Sequence, residues 1–323
     1  MNALNDLPEA APPTPVVAEH ELVRRIGAGS SGEVWLARNA LGTYRAVKIV
    51  FRKSVPWQQT FEAEFQGLLK FEPLSRQHDG LVDVLQVGGH AGSACFYYVM
   101  ELADDVHTGQ IINPDSYEPR TLAYDLIGRQ RLPIGECIRL GAPIASALDF
   151  LHRHGLIHRD VKPANIIFVN GFPKLVDAGL VTDICQTGPR VGTEGYIAPE
   201  GPGTAQADIY SLGKVLYEIS TGKDRADYPE LPADLGNTAE TRDLVQLNKI
   251  VLQACRTNPR LRYQEAGDLM NDLLAFQFCR HDPRLEIINQ TLIQVLGKCG
   301  LLVAVGVIIF MVWRILYYLR HPE

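Results

Sequence analysis

Two short segments constrain this chain most: His158-Arg159-Asp160-Val161-Lys162-Pro163-Ala164-Asn165 and Asp177-Ala178-Gly179. Between them they carry a candidate base, a cation and two candidate metal ligands within one stretch of sequence. Phosphoryl transfer needs such groups held close together, because its catalysis is mostly positioning and charge stabilisation. The chain must therefore adopt a fold that brings these two segments to one site.

A glycine-rich segment near the start of the chain reads Gly27-Ala28-Gly29-Ser30-Ser31-Gly32-Glu33-Val34. Dinucleotide-binding turns share the G-x-G-x-x-G spacing, but their glycines open a helix. Here strand-like sequence follows the glycines, which favours a hairpin that covers phosphates. Glycines have no Cβ and let backbone N–H groups approach phosphate oxygens closely. The alternative is a glycine-rich hairpin without a ligand.

The order of strand-like and helix-like segments predicts an α+β protein with two lobes. The strand-like segments cover residues 33–37, 44–50 and 95–100, and the helix-like ones 61–71, 136–154, 205–221 and 240–279. We expect a flexible leader at residues 1–20, a β-rich lobe at 21–102 and a mainly helical lobe at 103–280. Residues 103–120 are irregular, and we interpret them as an insertion after the connection between the lobes.

The end of the chain predicts a membrane anchor at residues 292–319, after a linker at 281–291. Only Lys298 and Arg314 are charged within this anchor. The uncharged part, 299–313, would extend about 22 Å as a helix, short of the ~30 Å hydrocarbon core. It becomes long enough if a flanking charge reaches an interface. We expect a single span, with the preceding domain on the cytoplasmic side; a buried helix is the alternative.

Charge and cysteine usage exclude two classes of site. The net charge is −6 and the pI is about 5.9, so no basic field attracts nucleic acid and we expect no nucleic-acid partner. The six cysteines are spread along the chain without a C-x-x-C pair. This spacing predicts free thiols in a reducing compartment and does not match a zinc site.

These segments resemble the catalytic, metal-binding and glycine-rich loops of eukaryotic-like (Hanks-type) serine/threonine protein kinases of the bacterial, membrane-anchored type. Ala46-Val47-Lys48 resembles the family's lysine-bearing strand, and residues 192–200 resemble its peptide-binding loop, which ends in Ala-Pro-Glu. Lys162 is typical of the serine/threonine branch. The resemblance covers about residues 20–280 and implies a bilobal protein kinase-like fold. It also implies transfer of the γ-phosphate of ATP to Ser and Thr hydroxyls of proteins, with Mg²⁺ or alternatively Mn²⁺.

The resemblance implies a role for each matching residue. Asp160 would accept or orient the proton of the substrate hydroxyl, and Lys162 would neutralise charge on the γ-phosphate. Lys48 would hold the α- and β-phosphates and pair with Glu64, for which Glu62 is the competing partner. The metal ligands would be Asn165 and Asp177, and the nucleotide-binding residues Gly27, Ala28, Gly29, Ser30, Ser31, Gly32, Val34, Ala46, Lys48, Met100, Glu101 and Ala103.

Further residues match positions that hold the family's loops in place. Thr193 would contact the base and the cation of the catalytic loop. Glu200 would pair with Arg262, a buried arginine, in a structural ion pair. Asp208 would anchor the backbone of the catalytic loop. Thr187 is the expected site of an ordering phosphate, with a constitutively ordered loop as the alternative.

Ala178 departs from the family pattern, which has Phe between the Asp and the Gly. The change removes roughly 1.5–3 kcal/mol of apolar burial, but it leaves the metal ligand Asp177 in place. It motivates a second hypothesis, a membrane-anchored pseudokinase that acts as a nucleotide-binding scaffold. A small-molecule kinase on the same fold is a third, which the peptide-binding loop at 192–200 disfavours. If the chain is active, we expect the anchor to promote self-association and trans-autophosphorylation by raising effective concentration.

Overall fold

The structure is a computed structural model, and it describes residues 15–29, 32–52, 58–89, 92–177, 182–183, 192–233 and 238–281. The chain divides into two compact units, residues 1–272 and 273–323. In the second unit the described residues, 273–281, are helical. The predicted anchor at 292–319, most of the predicted leader, and Ser30, Ser31, Ala178 and Thr187 lie outside the described residues. No helix in the described ranges is both long enough and apolar enough to cross a membrane.

The first lobe is a five-stranded antiparallel sheet with one helix. Its elements are β1 (His20–Gly29), β2 (Gly32–Asn39), β3 (Tyr44–Phe51), α1 (Gln58–Ser75), β4 (Val84–Gly89) and β5 (Cys95–Met100), and the strand order is β1-β2-β3-β5-β4. The rings of Phe61 and Phe65 in α1 lie 5.0 and 5.1 Å from the ring of Phe96 in β5. These aromatic contacts hold α1 against the sheet. The predicted strands and helix of this lobe are confirmed.

The second lobe is mainly helical. Its helices are α2 (Leu122–Gly128), α3 (Ile134–Arg153), α4 (Ala205–Thr221), α5 (Ala239–Ala254) and α6 (Ala266–His281). Short strands pair as β6 (Leu156–Ile157) with β9 (Thr182–Asp183) and as β7 (Ile166–Val169) with β8 (Phe172–Leu175). The predicted helices are confirmed, and the helical set predicted at 240–279 is divided into α5 and α6. The helix α2 and the short strands were not predicted, because they are too short to show a period. A sheet lobe followed by a helical lobe is the expected bilobal arrangement.

Asp208 connects the buried helix α4 to the loop that precedes β7. Its side chain is 1% exposed, and its carboxylate accepts hydrogen bonds from the backbone N–H groups of His158 and Arg159, both at 2.8 Å. His152 Nε2 lies 2.9 Å from the same carboxylate. Burial opposes ionisation, but these partners outweigh it and lower the pKa of Asp208. The backbone anchor expected from the sequence is therefore present.

Arg262 fastens residues 192–200 to the segment before α6. Its guanidinium binds Glu200 through two nitrogens, at 2.5 and 2.8 Å. It also donates to the backbone carbonyls of Arg256 at 2.6 Å, Gln206 at 3.0 Å and Thr257 at 3.2 Å. The Arg262 side chain is 0% exposed, so these acceptors satisfy a buried charge. The predicted ion pair is present and structural.

Replacing Arg262 with Met should lower the free energy of unfolding by about 3 kcal/mol, because Glu200 and three carbonyls lose their donor. Chemical denaturation of the purified protein measures this change. Arg260→Met is the matched control: Arg260 is exposed, and its loss should change the free energy by less than ~0.5 kcal/mol. Equal effects of the two substitutions would show that the ion pair between Glu200 and the buried Arg262 does not stabilise the fold.

Candidate active site

A cavity of about 580 Å³ lies between the sheet and the loop at residues 158–165. Its volume is within the usual range for a small-molecule site. The predicted site residues that line it are Gly27, Ala28, Gly29, Gly32, Val34, Ala46, Lys48, Glu64, Met100, Glu101, Ala103, Asp160, Lys162, Asn165 and Asp177. Both lobes therefore contribute their predicted residues to one cavity; Ser30 and Ser31 are outside the described residues.

Asp160 is the centre of a hydrogen-bonded cluster. The Thr193 hydroxyl donates to Asp160 Oδ1 at 2.9 Å, and Lys162 Nζ lies 2.6 Å from Asp160 Oδ2. Lys162 also donates to the Thr193 hydroxyl at 2.7 Å. The Asn165 amide nitrogen donates to the backbone oxygen of Asp160 at 2.8 Å and to its Oδ2 at 2.9 Å. Three side chains thus orient one carboxylate, and Thr193 makes both of its predicted contacts.

Asn165 and Asp177 are brought together by hydrogen bonds on Val176. The N–H of Val176 donates to the Asn165 carbonyl at 3.0 Å, and His158 Nε2 lies 3.0 Å from the Val176 carbonyl. Because the Asn165 amide nitrogen binds Asp160, its side-chain oxygen is left available to a metal ion. A carboxylate and an amide oxygen suit Mg²⁺, which completes its shell with phosphates and water. The described residues hold no cluster of three or more His, Cys, Asp or Glu fit for a metal.

Lys48 of β3 joins the sheet to the second lobe. It is 5% exposed and donates a short hydrogen bond to Asp177. Its Nζ lies 3.7 Å from Glu64 of α1, whereas Glu62 is half exposed and pairs with Arg52 at 3.6 Å. The structure therefore places Glu64, and not Glu62, beside the lysine. Burial alone would lower the pKa of Lys48, but the charges of Asp177 and Glu64 outweigh it and raise this pKa.

The surroundings of Glu64 disfavour its charged form, whereas those of Lys48 favour the charged form. Its side chain is 3% exposed, and its Oε1 has no hydrogen-bond partner in the part of the chain that the structure describes. Burial raises the pKa of Glu64 to about 7, and Lys48 opposes this only in part. The two shifts differ because the short contact of Lys48 is with Asp177, while 3.7 Å separates it from Glu64. Lys48 therefore stays charged and Glu64 titrates near neutrality.

The glycines of the β1–β2 hairpin serve different purposes. Gly32 has φ +156°, and a Cβ there would lie 2.1 Å from the Ile49 carbonyl oxygen of β3. Gly32 is thus required by packing within the sheet. A Cβ on Gly29 would meet nothing within 4 Å, so this glycine leaves space beside the cavity for a ligand. The hairpin suits an anion that approaches its backbone N–H groups.

The connector between the lobes, residues 100–103, offers a free backbone donor. The Glu101 side chain accepts from Lys174 at 2.6 Å and from the Asp83 N–H at 3.0 Å, which fixes the connector against the second lobe. Among the described residues, the Ala103 N–H makes no hydrogen bond. A planar, hydrogen-bonding base in the cavity could use this donor.

Several cavity residues were not predicted from the sequence. They are Ile26, Val50, Phe51, Phe61, Tyr98, Tyr117, Pro119, Thr121, Ala164, Ile167 and Val176. Ile167 lies in the apolar run that directly follows Asn165, and that run was a usable signal for a buried wall. Tyr117 and Pro119 belong to the insertion, which carries no motif, so only the tertiary structure places them at the site.

Known proteins match most of this chain. A family model described as the protein kinase domain matches residues 20–284. Serine/threonine-protein kinase PknB of Mycobacterium leprae is 31% identical over 279 residues, or 79% of this chain and 42% of that protein. PknB of Mycolicibacterium smegmatis is 31% identical over 280 residues, which cover 79% of this chain and 42% of that protein. PknB of Mycobacterium tuberculosis H37Rv is 30% identical over 290 residues, which cover 81% of this chain and 43% of that protein. The chain spans about two fifths of the length of these relatives.

The Glu64→Gln protein should become more stable than the wild type as pH rises from 4.5 towards 7. A raised carboxyl pKa stabilises the fold below the unfolded value near 4.5, and this contribution is lost as pH rises through the folded value of about 7. We expect the difference in free energy of unfolding, Glu64→Gln minus wild type, to grow by roughly 1–3 kcal/mol over this pH range. Denaturant unfolding at several pH values measures it. A gap that stays constant from pH 5 to 8 would contradict a raised Glu64 pKa.

Proposed function

The chain belongs to the protein kinase domain family, and from that premise we propose that it transfers the γ-phosphate of ATP to Ser and Thr hydroxyls of proteins. The relatives bear the name serine/threonine-protein kinase, but the chain spans only part of them, so the site itself must support the activity. One observation carries the proposal: Asp160 and Lys162, which Thr193 contacts, line the same cavity as the Lys48–Asp177 pair.

The nucleotide would be held by groups from both lobes. Members of this family use ATP with a divalent metal ion. Asn165 and Asp177 would hold that ion, Mg²⁺ or Mn²⁺, which supplies positive charge at the transferring phosphate. Backbone N–H groups at Gly27–Gly32 would cover the phosphates, and Lys48 would neutralise the α- and β-phosphates. The Ala103 N–H would bond the edge of the adenine.

Asp160 would receive the proton of the attacking hydroxyl. Its carboxylate is already oriented by Thr193 and Asn165, so little reorganisation is needed at the moment of reaction. Lys162 lies beside it with a side chain 23% exposed and would offset the charge of the γ-phosphate. Thr193 belongs to residues 192–200, which would lie against the substrate peptide. The hydroxyl oxygen then attacks the γ-phosphorus, the bond to the β-phosphate oxygen breaks, and ADP leaves.

Asp160→Asn should lower phosphate transfer by about 10²- to 10⁴-fold, because the proton acceptor and its negative charge are lost while the shape of the side chain is kept. The full chain, purified in detergent, is incubated with labelled ATP and Mg²⁺, and label is followed on the chain itself and on a generic acceptor protein. Asp79→Asn is the control, since Asp79 is exposed and outside the cavity, and it should match the wild type.

Two outcomes would count against the kinase. Equal labelling by wild type and Asp160→Asn would remove Asp160 from the mechanism. Nucleotide binding that depends on Mg²⁺ but gives no label would favour the alternative, a membrane-anchored pseudokinase that serves as a nucleotide-binding scaffold. Ala178 would then be the first residue to revert to Phe.

We also propose that residues 292–319 anchor the chain in a membrane, with the kinase domain on the cytoplasmic side, where ATP is present. The support is the sequence: a long apolar run with only Lys298 and Arg314 charged. Tethering would confine copies to a surface and raise their effective concentration. Self-association and trans-autophosphorylation would be favoured, while intrinsic activity on a soluble substrate would be unchanged.

A double substitution, Val305→Arg with Ile308→Arg, should move the protein from the membrane fraction to the soluble fraction. Each central arginine adds roughly 2.5–3.5 kcal/mol to the cost of insertion. Fractionation with alkaline carbonate extraction measures the change, and His321→Arg, outside the proposed span, should remain with the membrane. Wild type that extracts with carbonate would refute the anchor. If the double variant loses its activity on a soluble substrate even at high enzyme concentration, residues 292–319 do more than localise the chain.

A further inference from the structure

Residues 105–119, called here the cleft loop, contribute Tyr117 and Pro119 to the cavity lining, which the motifs do not explain. The Asp105 carboxylate organises this loop. Its Oδ1 accepts from the N–H groups of His107 and Thr108 at 2.9 and 2.8 Å and from the Thr108 hydroxyl at 2.8 Å. Its Oδ2 accepts from the Glu118 N–H at 2.9 Å. Burial would raise the pKa of Asp105, but these bonds outweigh it and lower the pKa to about 2.

The base of the cleft loop is fixed to strand β7. Asp104 donates its N–H to the Phe168 carbonyl at 2.7 Å, and Phe168 donates its own N–H to the Arg120 carbonyl at 3.2 Å. The Arg120 N–H closes the base by donating to the Asp104 carbonyl at 2.8 Å. The Arg120 guanidinium lies 4.3 Å from the centre of the Phe168 ring. The loop therefore starts and ends at one defined place in the second lobe.

Tyr117 links the cleft loop to the connector between the lobes by a hydrogen bond. It lines the cavity with Pro119, is 2% exposed, and donates its hydroxyl to the Ala103 carbonyl at 3.1 Å. Burial raises the pKa of Tyr117, so the hydroxyl remains a donor at physiological pH. Ala103 is the residue whose N–H has no partner among the described residues. The Tyr117 hydroxyl thus holds the peptide unit next to the donor that a base would meet.

Arg24 ties the same loop to the first lobe. From β1, its Nε donates to the Pro114 carbonyl at 3.1 Å, and its Nη2 donates a short hydrogen bond to the Tyr117 carbonyl. β1 also carries Gly27 and Gly29 of the glycine-rich hairpin. Tyr117 is therefore held from both lobes, by its hydroxyl at the connector and by its carbonyl at β1.

We propose that Tyr117 is a nucleotide-positioning residue and that Arg24 holds it in place across the cleft. The inference rests on the proposed function, because the nucleotide is the one that the reaction uses. Tyr117 orients the connector for the base, and Arg24 joins the glycine-bearing strand to that wall. A nucleotide in the cavity is then enclosed by elements that are bonded to each other. Loss of either bond weakens nucleotide binding without removing any group that acts on the phosphates.

The test measures nucleotide binding separately from phosphate transfer. The full chain in detergent with Mg²⁺ is titrated with a fluorescent ATP analogue, and kcat and KM for ATP are measured on an acceptor protein. Tyr117→Phe and Arg24→Gln should each raise Kd and KM by roughly three- to tenfold, the loss of one or two hydrogen bonds. The kcat at saturating ATP should change by less than about twofold.

Two further variants sharpen the result. Arg24→Lys keeps the charge but has one ammonium for two acceptors, so its Kd should lie between those of wild type and Arg24→Gln. Arg25→Gln is the matched control, because Arg25 neighbours Arg24 on β1 but is exposed and pairs with Glu33. It should bind nucleotide like the wild type. The thermal midpoint without nucleotide is recorded for every variant.

Each outcome decides the inference. A higher Kd and KM with unchanged kcat and thermal midpoint supports it. Unchanged Kd in Tyr117→Phe and Arg24→Gln overturns it, as does a drop in kcat and thermal midpoint with unchanged KM, which marks a structural role only. If the wild type binds nucleotide but transfers no phosphate, the proposed function fails, while the Kd comparison still decides the inference. If the wild type binds no nucleotide, both fail.

Discussion

The buried carboxylate of Asp208 is the interaction on which the rest of the site depends. It accepts the backbone N–H groups of His158 and Arg159, and this fixes the start of the loop that carries Asp160. Arg159 has a positive φ of 72°, a conformation that costs free energy in a non-glycine residue and needs such support. His158 in turn contacts the Val176 carbonyl, next to the second metal-ligand candidate. One side chain of α4 thereby positions both halves of the proposed phosphate-transfer site.

Electrostatics link this rigid second lobe to the sheet. Lys48 is buried and is balanced by two carboxylates, of which Asp177 is close and Glu64 is more distant. A divalent cation would compete with Lys48 for Asp177, and the lysine charge would then be available to phosphates and to Glu64. The arrangement keeps its charges in a low-dielectric site, where they act more strongly than in water. Burial in this site also raises the pKa of Glu64, and perturbed pKa values are common at functional sites.

The cleft loop shows what the motifs leave undetermined. Its stretch of sequence has turn-forming residues and no periodicity, and nothing in it indicates contact with both lobes. In the structure, Tyr117 donates a hydrogen bond to a backbone carbonyl of the connector, and Arg24 donates one to a backbone carbonyl of the loop. Backbone acceptors are present at every residue, so sequence carries no signal of which one is used. Such contacts can adjust how a family member holds its nucleotide while the residues at the phosphates stay the same.

The sequence by itself identified the candidate site: Lys48, Asp160, Asn165 and Asp177 stand where the family that the chain resembles carries its functional residues. It also determined the longer strands and helices, whose apolar periods are set by local geometry. The sequence favoured Glu64 over Glu62 as the partner of Lys48, and the tertiary structure decided between them, since helix rotation depends on packing against β5. Only the tertiary structure decided the short elements and the place of the cleft loop. Their stability comes from contacts distant in sequence, which no local pattern records.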